Sequence, residues 1–189
     1  VTEIGTQVFL ECSGELIINS RIVETDYDNG TTNSAHWLYG SNFSKVIIGS
    51  NVTKLGGRAF QYYSSLTDVT IPDSVTELGN LAFMNCTSLA DITIPNSVTS
   101  MGTQAVYGCT KLKTILFPNK LTAINGSMCK NCTALETVVI PESVTSIRAQ
   151  AFAECTSLMS VYCKPVKVPT LAKDAFQNNA AELKIYVPM

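Results

Sequence analysis

The chain repeats itself with a fixed period of roughly 23 residues, which lies in the range of known repeat proteins. The segment IPDSVTELGNLAFMNCTSLADIT, which begins at Ile71, returns from Ile94, Phe117 and Ile140 without an insertion, and IGSNVTKLGGRAFQYYSSLTDVT from Ile48 keeps the same frame. A fixed period in this range is typical of a solenoid, in which one coil cannot bury its apolar side until neighbouring coils stack on it. The repeat therefore predicts one elongated domain.

Each repeat predicts a short strand, a turn and a compact segment. The stretch LADITIP, from Leu89 to Pro95, alternates apolar and polar residues and is rich in β-branched types, as expected of a strand that ends at proline. Ala82, Phe83 and Cys86 are spaced as in one or two helical turns. We therefore expect an α/β-type solenoid of about seven to eight coils, each with a short parallel strand and a short helix or 3-10 turn.

The two ends of the chain depart from the repeat. Val1 to Cys12 matches Val75 to Cys86 but is out of frame with the regular repeats, so extra residues are inserted between this first match and the regular repeats. We expect the insertion in the polar tract from Thr25 to Ser34. The frame slips by one to two residues after Cys163, although apolar residues as far as Val187 restore the inward pattern. The single solenoid of residues 1–189 is thus predicted to contain divergent coils at 1–44, regular repeats at 45–164 and a divergent coil or cap at 165–189.

The regular repeats resemble the BspA-like type of bacterial leucine-rich repeat, which pairs IP-x-x-V-T-x-I-G with A-F-x-x-C-x-x-L-x-x-V-x. The resemblance covers residues 45–164 closely and Val1 to Cys12 as well; Tyr63, Gly40 and Arg148 depart from it. It implies a right-handed superhelix, usually part of a larger cell-surface or secreted protein that acts in adhesion or protein binding. It supplies no catalytic motif, so it assigns no active-site residue.

Composition argues against several classes of partner. A formal net charge of -2 with 15% charged residues gives no basic surface for nucleic acid or an anionic membrane. No apolar run is long enough to span a bilayer, so no membrane insertion is expected. The first residues lack the basic and apolar regions of a signal peptide, and the chain begins without Met, as a mature form or an excised piece would. A location outside the cell or on its surface is therefore implied by the resemblance alone.

Four of the seven cysteines occupy one repeat column, which favours packed thiols over a disulfide framework. Cys129 and Cys132 form a C-x-x-C pair, but Cys129 stands where other repeats have a core Phe. A column is a line of side chains, whereas zinc needs four ligands around one point, so we expect no metal site. Disulfides between adjacent coils remain the alternative, because ~4.8 Å lies within the permitted Cα separation. The column consists of Cys86, Cys109, Cys132 and Cys155.

His36 is the only histidine, so a catalytic Ser-His-Asp or Cys-His arrangement would have to use it. It lies beside Trp37, which falls in the core Phe column, and a structural or surface role is favoured for it. No glycine-rich phosphate loop or metal-spaced carboxylate cluster accompanies it. We therefore predict no catalytic residue, no metal and no cofactor, with a hydrolase that uses His36 as the least favoured class.

The outward face of the strands carries the candidate binding residues. Residues that flank an inward side chain on a strand point outward, so one residue per coil forms an exposed column. Its first members are mostly polar, and its last four are apolar or aromatic, with Met159 beside them. In order, the column is Ile47, Thr70, Thr93, Leu116, Val139, Tyr162 and Tyr186.

Apolar and aromatic clusters of this kind are enriched at contact sites, so we predict binding through Leu116, Val139, Met159, Tyr162 and Tyr186. A C-terminal cap or a neighbouring domain that covers the cluster is the alternative. The favoured function is a non-enzymatic binding or adhesion module whose partner is a protein, for instance a host extracellular protein, or a glycan. The rival is a structural spacer that holds another domain away from a surface. No oligomeric state follows from the sequence.

Overall fold

The computed structural model of the protein describes residues 13–19, 22–23 and 41–188, and β-strands are the only regular elements in that part of the chain. Longer strands alternate with strands of two residues. The strands are β1 (Ser13–Ile18), β2 (Ile22–Val23), β3 (Asn42–Ile48), β4 (Lys54–Leu55), β5 (Asp68–Thr70), β6 (Glu77–Leu78), β7 (Asp91–Thr93), β8 (Ser100–Met101), β9 (Thr114–Leu116), β10 (Ala123–Ile124), β11 (Thr137–Ile140), β12 (Ser146–Ile147), β13 (Ser160–Cys163), β14 (Thr170–Leu171) and β15 (Lys184–Tyr186).

Equivalent strands of neighbouring coils pair in parallel within five short sheets. In β7 and β9, Ile92 lies opposite Ile115, and in the short strands β6 and β8, Leu78 lies opposite Met101. The longer strands follow the orders β1-β3-β5, β7-β9 and β11-β13-β15, and the short strands β2-β4-β6-β8 and β10-β12-β14. Six turns of the chain separate β3 from β15. The predicted parallel solenoid is confirmed, whereas the total of seven to eight coils and the right-handed superhelix stay predictions.

The segment predicted as a short helix or 3-10 turn is a series of turns instead, and no helix occurs in residues 41–188. Leu81 and Asn85 have positive φ, and equivalent residues do too in each of the other regular coils, so right-handed helical geometry is interrupted twice in each of these coils. The backbone N–H groups of Arg58, Phe60 and Tyr62 donate to carbonyls of the next coil at 2.7–2.8 Å. A helix would satisfy these groups internally, so bonds between coils have replaced helical ones.

The inward columns form one continuous core. Ala59, Ala82, Ala105 and Ala151 are buried, and so is Met128, which takes the place of alanine in its coil. The Phe60 and Phe83 rings stack with centroids 5.2 Å apart. Burial of a large apolar side chain contributes roughly 1.5–3 kcal/mol, so stacking of coils stabilises each of them. The leucine column is fully buried at Leu66, Leu89, Leu112, Leu135 and Leu158.

The cysteine column is a ladder of free, buried thiols. The Sγ atom of Cys109 donates to the carbonyl oxygen of Phe83 at 3.1 Å, and that of Cys132 donates to Val106 at 3.2 Å. Cys86 and Cys155 make the equivalent bonds. Six described cysteines are free, Cys129 among them, and Cys129 is buried in the place of a core Phe. The packing interpretation is therefore confirmed for this column, and the disulfide alternative is wrong for it.

The repeat length changes in the last coil. Ser160 lies opposite Lys184 rather than Leu183, where the regular period would place its partner, and this confirms the predicted slip of the frame after Cys163. Ala175 is buried and Phe176 stacks on Phe152 at 5.3 Å, as expected of inward residues. Ile185 lies opposite the buried Val161, as expected of an inward residue, but it is 46% exposed because described residues pack on only one side of this coil. Val187 is 53% exposed at the same end.

Some sequence predictions lie outside the described residues. They are the first coil at Val1 to Cys12, the polar tract from Thr25 to Ser34, and the roles of His36 and Trp37.

Candidate binding surface

The four apolar members of the outward column lie at one register position on consecutive longer strands. Leu116 of β9 lies opposite Thr93 of β7, and Tyr162 of β13 lies opposite both Val139 of β11 and Tyr186 of β15. The neighbouring residues in sequence, Ile115, Val138 and Val161, are buried in the core. Alternation along each strand therefore directs Leu116, Val139, Tyr162 and Tyr186 away from the core, and we name these four residues the apolar stripe.

Most of the stripe is exposed in the structure. Leu116 is 59% exposed, Tyr162 43% and Tyr186 44%, whereas Val139 is half-buried between its neighbours. Met159, the fifth predicted residue, is also exposed and immediately precedes β13. The structure thus brings together four of the five predicted residues as one row and places Met159 at the edge of that row.

The same face is polar on β5 and β7, in the middle of the described solenoid. Thr70 and Thr93 are exposed, and Asp68 and Asp91 are exposed two residues before them on the same strands. The Thr114 hydroxyl donates to a carboxylate oxygen of Asp91 at 2.6 Å. The face therefore changes from acidic and hydroxyl-bearing at β5 and β7 to apolar from β9 onward.

The two tyrosines of the stripe stack on each other. Their ring centroids are 4.7 Å apart, with 9° between the ring planes. One face of each ring is covered by the other ring, so the two facing ring surfaces are closed to a partner.

A groove of about 720 Å³ adjoins the stripe at the carboxyl ends of the strands. Leu116, Phe117, Val139 and Pro141 supply its apolar wall. The turns that follow the strands add Asn119, Lys120, Glu142 and Lys164. Pattern reasoning missed these four residues because it followed only the strand face; the available signal was that Lys120 replaces the serine found at Ser74, Ser97 and Ser143.

The described residues contain no group of three or more His, Cys, Asp or Glu side chains that could hold a metal ion. Burial raises the pKa of the Cys109 and Cys155 thiols to about 12, so both are protonated at neutral pH. Within the same residues there is no helix of the length and apolar character needed to cross a membrane.

The chain matches a protein-family model described as the BspA type leucine rich repeat region, with six copies, over residues 31–159 and 129–187. Among solved structures, the T. pallidum Leucine Rich Repeat protein is 31% identical with a TM-score of 0.70, and the match covers 79% of this chain and 75% of that one. A leucine-rich repeat protein from Eubacterium ventriosum is 24% identical with a TM-score of 0.69 over 89% and 48% of the two chains.

A leucine rich cell surface protein from Faecalibacterium prausnitzii is 20% identical with a TM-score of 0.58, and the match covers 94% of this chain and 60% of that one. At these identities the Eubacterium and Faecalibacterium likenesses show the fold alone. This chain spans about half to three fifths of the length of those two proteins. No curated protein matches the sequence.

Proposed function

Because this chain belongs to the BspA type leucine-rich repeat family, we propose that it is a non-enzymatic binding module that contacts a protein partner through the apolar stripe. The observation that carries the proposal is the row of exposed side chains from Leu116 to Tyr186 on consecutive strands. Exposed apolar patches rimmed by polar residues mark contact sites, and aromatic side chains supply much of the binding energy at such sites.

The rigid scaffold supports this proposal. Three of the four strands that carry the stripe, β11, β13 and β15, pair in parallel, and the tyrosine rings are already stacked. A partner would therefore order few side chains on binding, which lowers the entropic cost of association.

We also propose display outside the cell or on its surface, as the resemblance to BspA-like proteins implies. The Faecalibacterium relative is described as a cell surface protein, which agrees with that location. A host extracellular protein is one partner of the proposed kind, and a glycan is the alternative ligand class.

A structural spacer is the second candidate, and the acidic and hydroxyl-bearing part of the face around Asp68 and Asp91 favours it. A spacer needs only a solvated surface, which that part provides. It does not require exposed apolar side chains on β9 to β15, so we place it second.

The test compares a double variant, Leu116→Ser with Tyr162→Ser, with the double variant Thr70→Ser with Thr93→Ser at the same register of β5 and β7. A phage-displayed library of random peptides is selected on the unmodified protein, and the retained peptides are measured against both variants. We expect the stripe variant to remain folded and to lose the retained peptides, while the threonine variant keeps them. Equal retention by both variants would contradict binding through the stripe.

A further inference from the structure

Lys120 breaks a hydrogen-bond column of the solenoid beside the groove. Ser74, Ser97 and Ser143 each donate a side-chain hydroxyl to a carbonyl of the preceding coil, at 2.6–2.7 Å. Lys120 occupies the same position in the coil between the last two, where it is exposed and lines the groove. A lysine cannot form that short hydrogen bond, so this coil lacks a stabilising contact that the other three coils have.

A second lysine that lines the groove also departs from the repeat. Lys164 follows β13 at the position where the preceding coils have Pro72, Pro95, Pro118 and Pro141. Its backbone N–H donates to the carbonyl oxygen of Ile140 at 3.0 Å, and its side chain lines the groove together with Lys120. Two unrelated repeat columns therefore change to lysine at one place on the surface.

These lysines are not neutralised within the described part of the chain. The ion pairs found there join Lys45 to Glu15, Lys54 to Glu77 and Lys130 to Glu154. Glu142 is the single carboxylate that lines the groove, and it forms no ion pair with the described residues either. The groove thus combines an apolar wall with one net positive charge, which is complementary to an apolar group that carries a carboxylate.

We propose that the groove takes an extended segment of a protein partner in which an acidic side chain follows an apolar one. The apolar side chain packs between Leu116 and Val139, and the carboxylate lies between the ammonium groups of Lys120 and Lys164. This inference rests on the proposed function, because the groove shares Leu116 and Val139 with the apolar stripe.

A peptide segment fits the site better than a sugar does. Sugar rings pack on open aromatic faces, and neither Tyr162 nor Tyr186 lines the groove. The groove itself is walled by Leu116, Val139 and Pro141, with the largely buried Phe117, and these aliphatic surfaces suit an apolar side chain.

The experiment uses peptides selected on the unmodified protein from a phage-displayed random library, and a groove variant with Lys120→Ser and Lys164→Gln. The matched control carries Lys111→Gln and Lys173→Gln, which remove two exposed lysines that do not line the groove. We expect the selected peptides to be enriched in an acidic residue next to an apolar one. Their Kd should weaken about 3- to 10-fold in the groove variant and stay unchanged in the control, from the usual strength of partly exposed ion pairs.

A peptide with the acidic residue replaced by its amide should lose the same affinity for the unmodified protein and no further affinity for the groove variant. If peptides bind through Leu116 and Tyr162 but show neither acidic enrichment nor dependence on the lysines, this inference is wrong while the proposed function stands. If no selected peptide depends on Leu116 and Tyr162, the proposed function is wrong and the inference falls with it. If no peptide is selected but the protein binds acidic glycans on an array, the partner is a sugar and the inference of a protein partner is wrong.

Discussion

The ring of Tyr162 lies flat against the ring of Tyr186, one coil further along the chain, with centroids 4.7 Å apart. Both side chains are on the outer face, so the contact stabilises the last coils without any burial in the core. Stacked aromatic pairs contribute about 0.5–1.5 kcal/mol beyond the area that they bury.

We therefore expect a double-mutant cycle with Tyr162→Ala and Tyr186→Ala to give a coupling energy of about 0.5–1.5 kcal/mol. Urea unfolding followed by circular dichroism would supply the free energies. As a control, Tyr162→Ala combined with Leu171→Ala should be additive, since Leu171 is on β14 in the row of short strands. A coupling energy near zero for the tyrosine pair would mean that the rings do not stack in solution.

Core and surface positions of the repeat should respond differently to truncation. Leu112 is fully buried, so Leu112→Ala should lower the free energy of unfolding by about 2–5 kcal/mol and loosen both adjacent coils. Thr93 is exposed on β7, so Thr93→Ala should change it by less than about 0.5 kcal/mol. Urea unfolding measures both effects, and hydrogen exchange reports the neighbouring coils. Similar losses for the two variants would indicate a wrong register.

The coil arrangement was predictable because the repeat places like residues in columns. The residue types of Leu89 and Ile92 recur in each regular unit, and both positions are buried. Alternation then fixed the outward direction of Leu116 and Tyr162 without further information. Whether these outward residues bind a partner is a property of the surface, and periodicity carries no information on it.

The turns were not predictable from the same pattern. Ala82, Phe83 and Cys86 have spacing that suits a helix, but their segment contains Leu81 and Asn85 with positive φ. Leucine gives no local sign of a left-handed conformation, which is imposed by backbone bonds between coils. The groove was missed for a related reason, since it forms between turns of different coils and no single repeat contains it.

The cysteine ladder predicts a pH-dependent contribution to stability. Burial raises the pKa of Cys109 from the ordinary value of 9.0 to about 12. The folded protein therefore holds this proton more tightly than the unfolded chain does, so the contribution is complete below about pH 9 and is lost as the pH rises toward 12. Urea unfolding between pH 8 and 10 should show the loss, and Cys109→Ala should make it smaller.

At neutral pH, Cys109→Ala should cost about 1 kcal/mol or slightly more, through the lost volume and the lost bond to Phe83, and reductant should not change that cost. Iodoacetamide should leave the native thiol unmodified and alkylate it after unfolding. A protein mass two units low for each cysteine pair would instead reveal disulfides.

Restoring serine at Lys120 should stabilise the protein. In Lys120→Ser, the new hydroxyl is in the position from which Ser97 donates to the carbonyl oxygen of Val75, so it can donate to the equivalent carbonyl of Val98. One such bond contributes about 0.5–1.5 kcal/mol, and we expect the free energy of unfolding to rise by that amount. Ser97→Ala, measured in the same urea titrations, should lower it by a similar amount. A gain in stability with a loss of peptide affinity would show that Lys120 favours binding and lowers the stability of the solenoid. An unchanged or lower stability would mean that the serine hydrogen bonds do not stabilise the stacked coils.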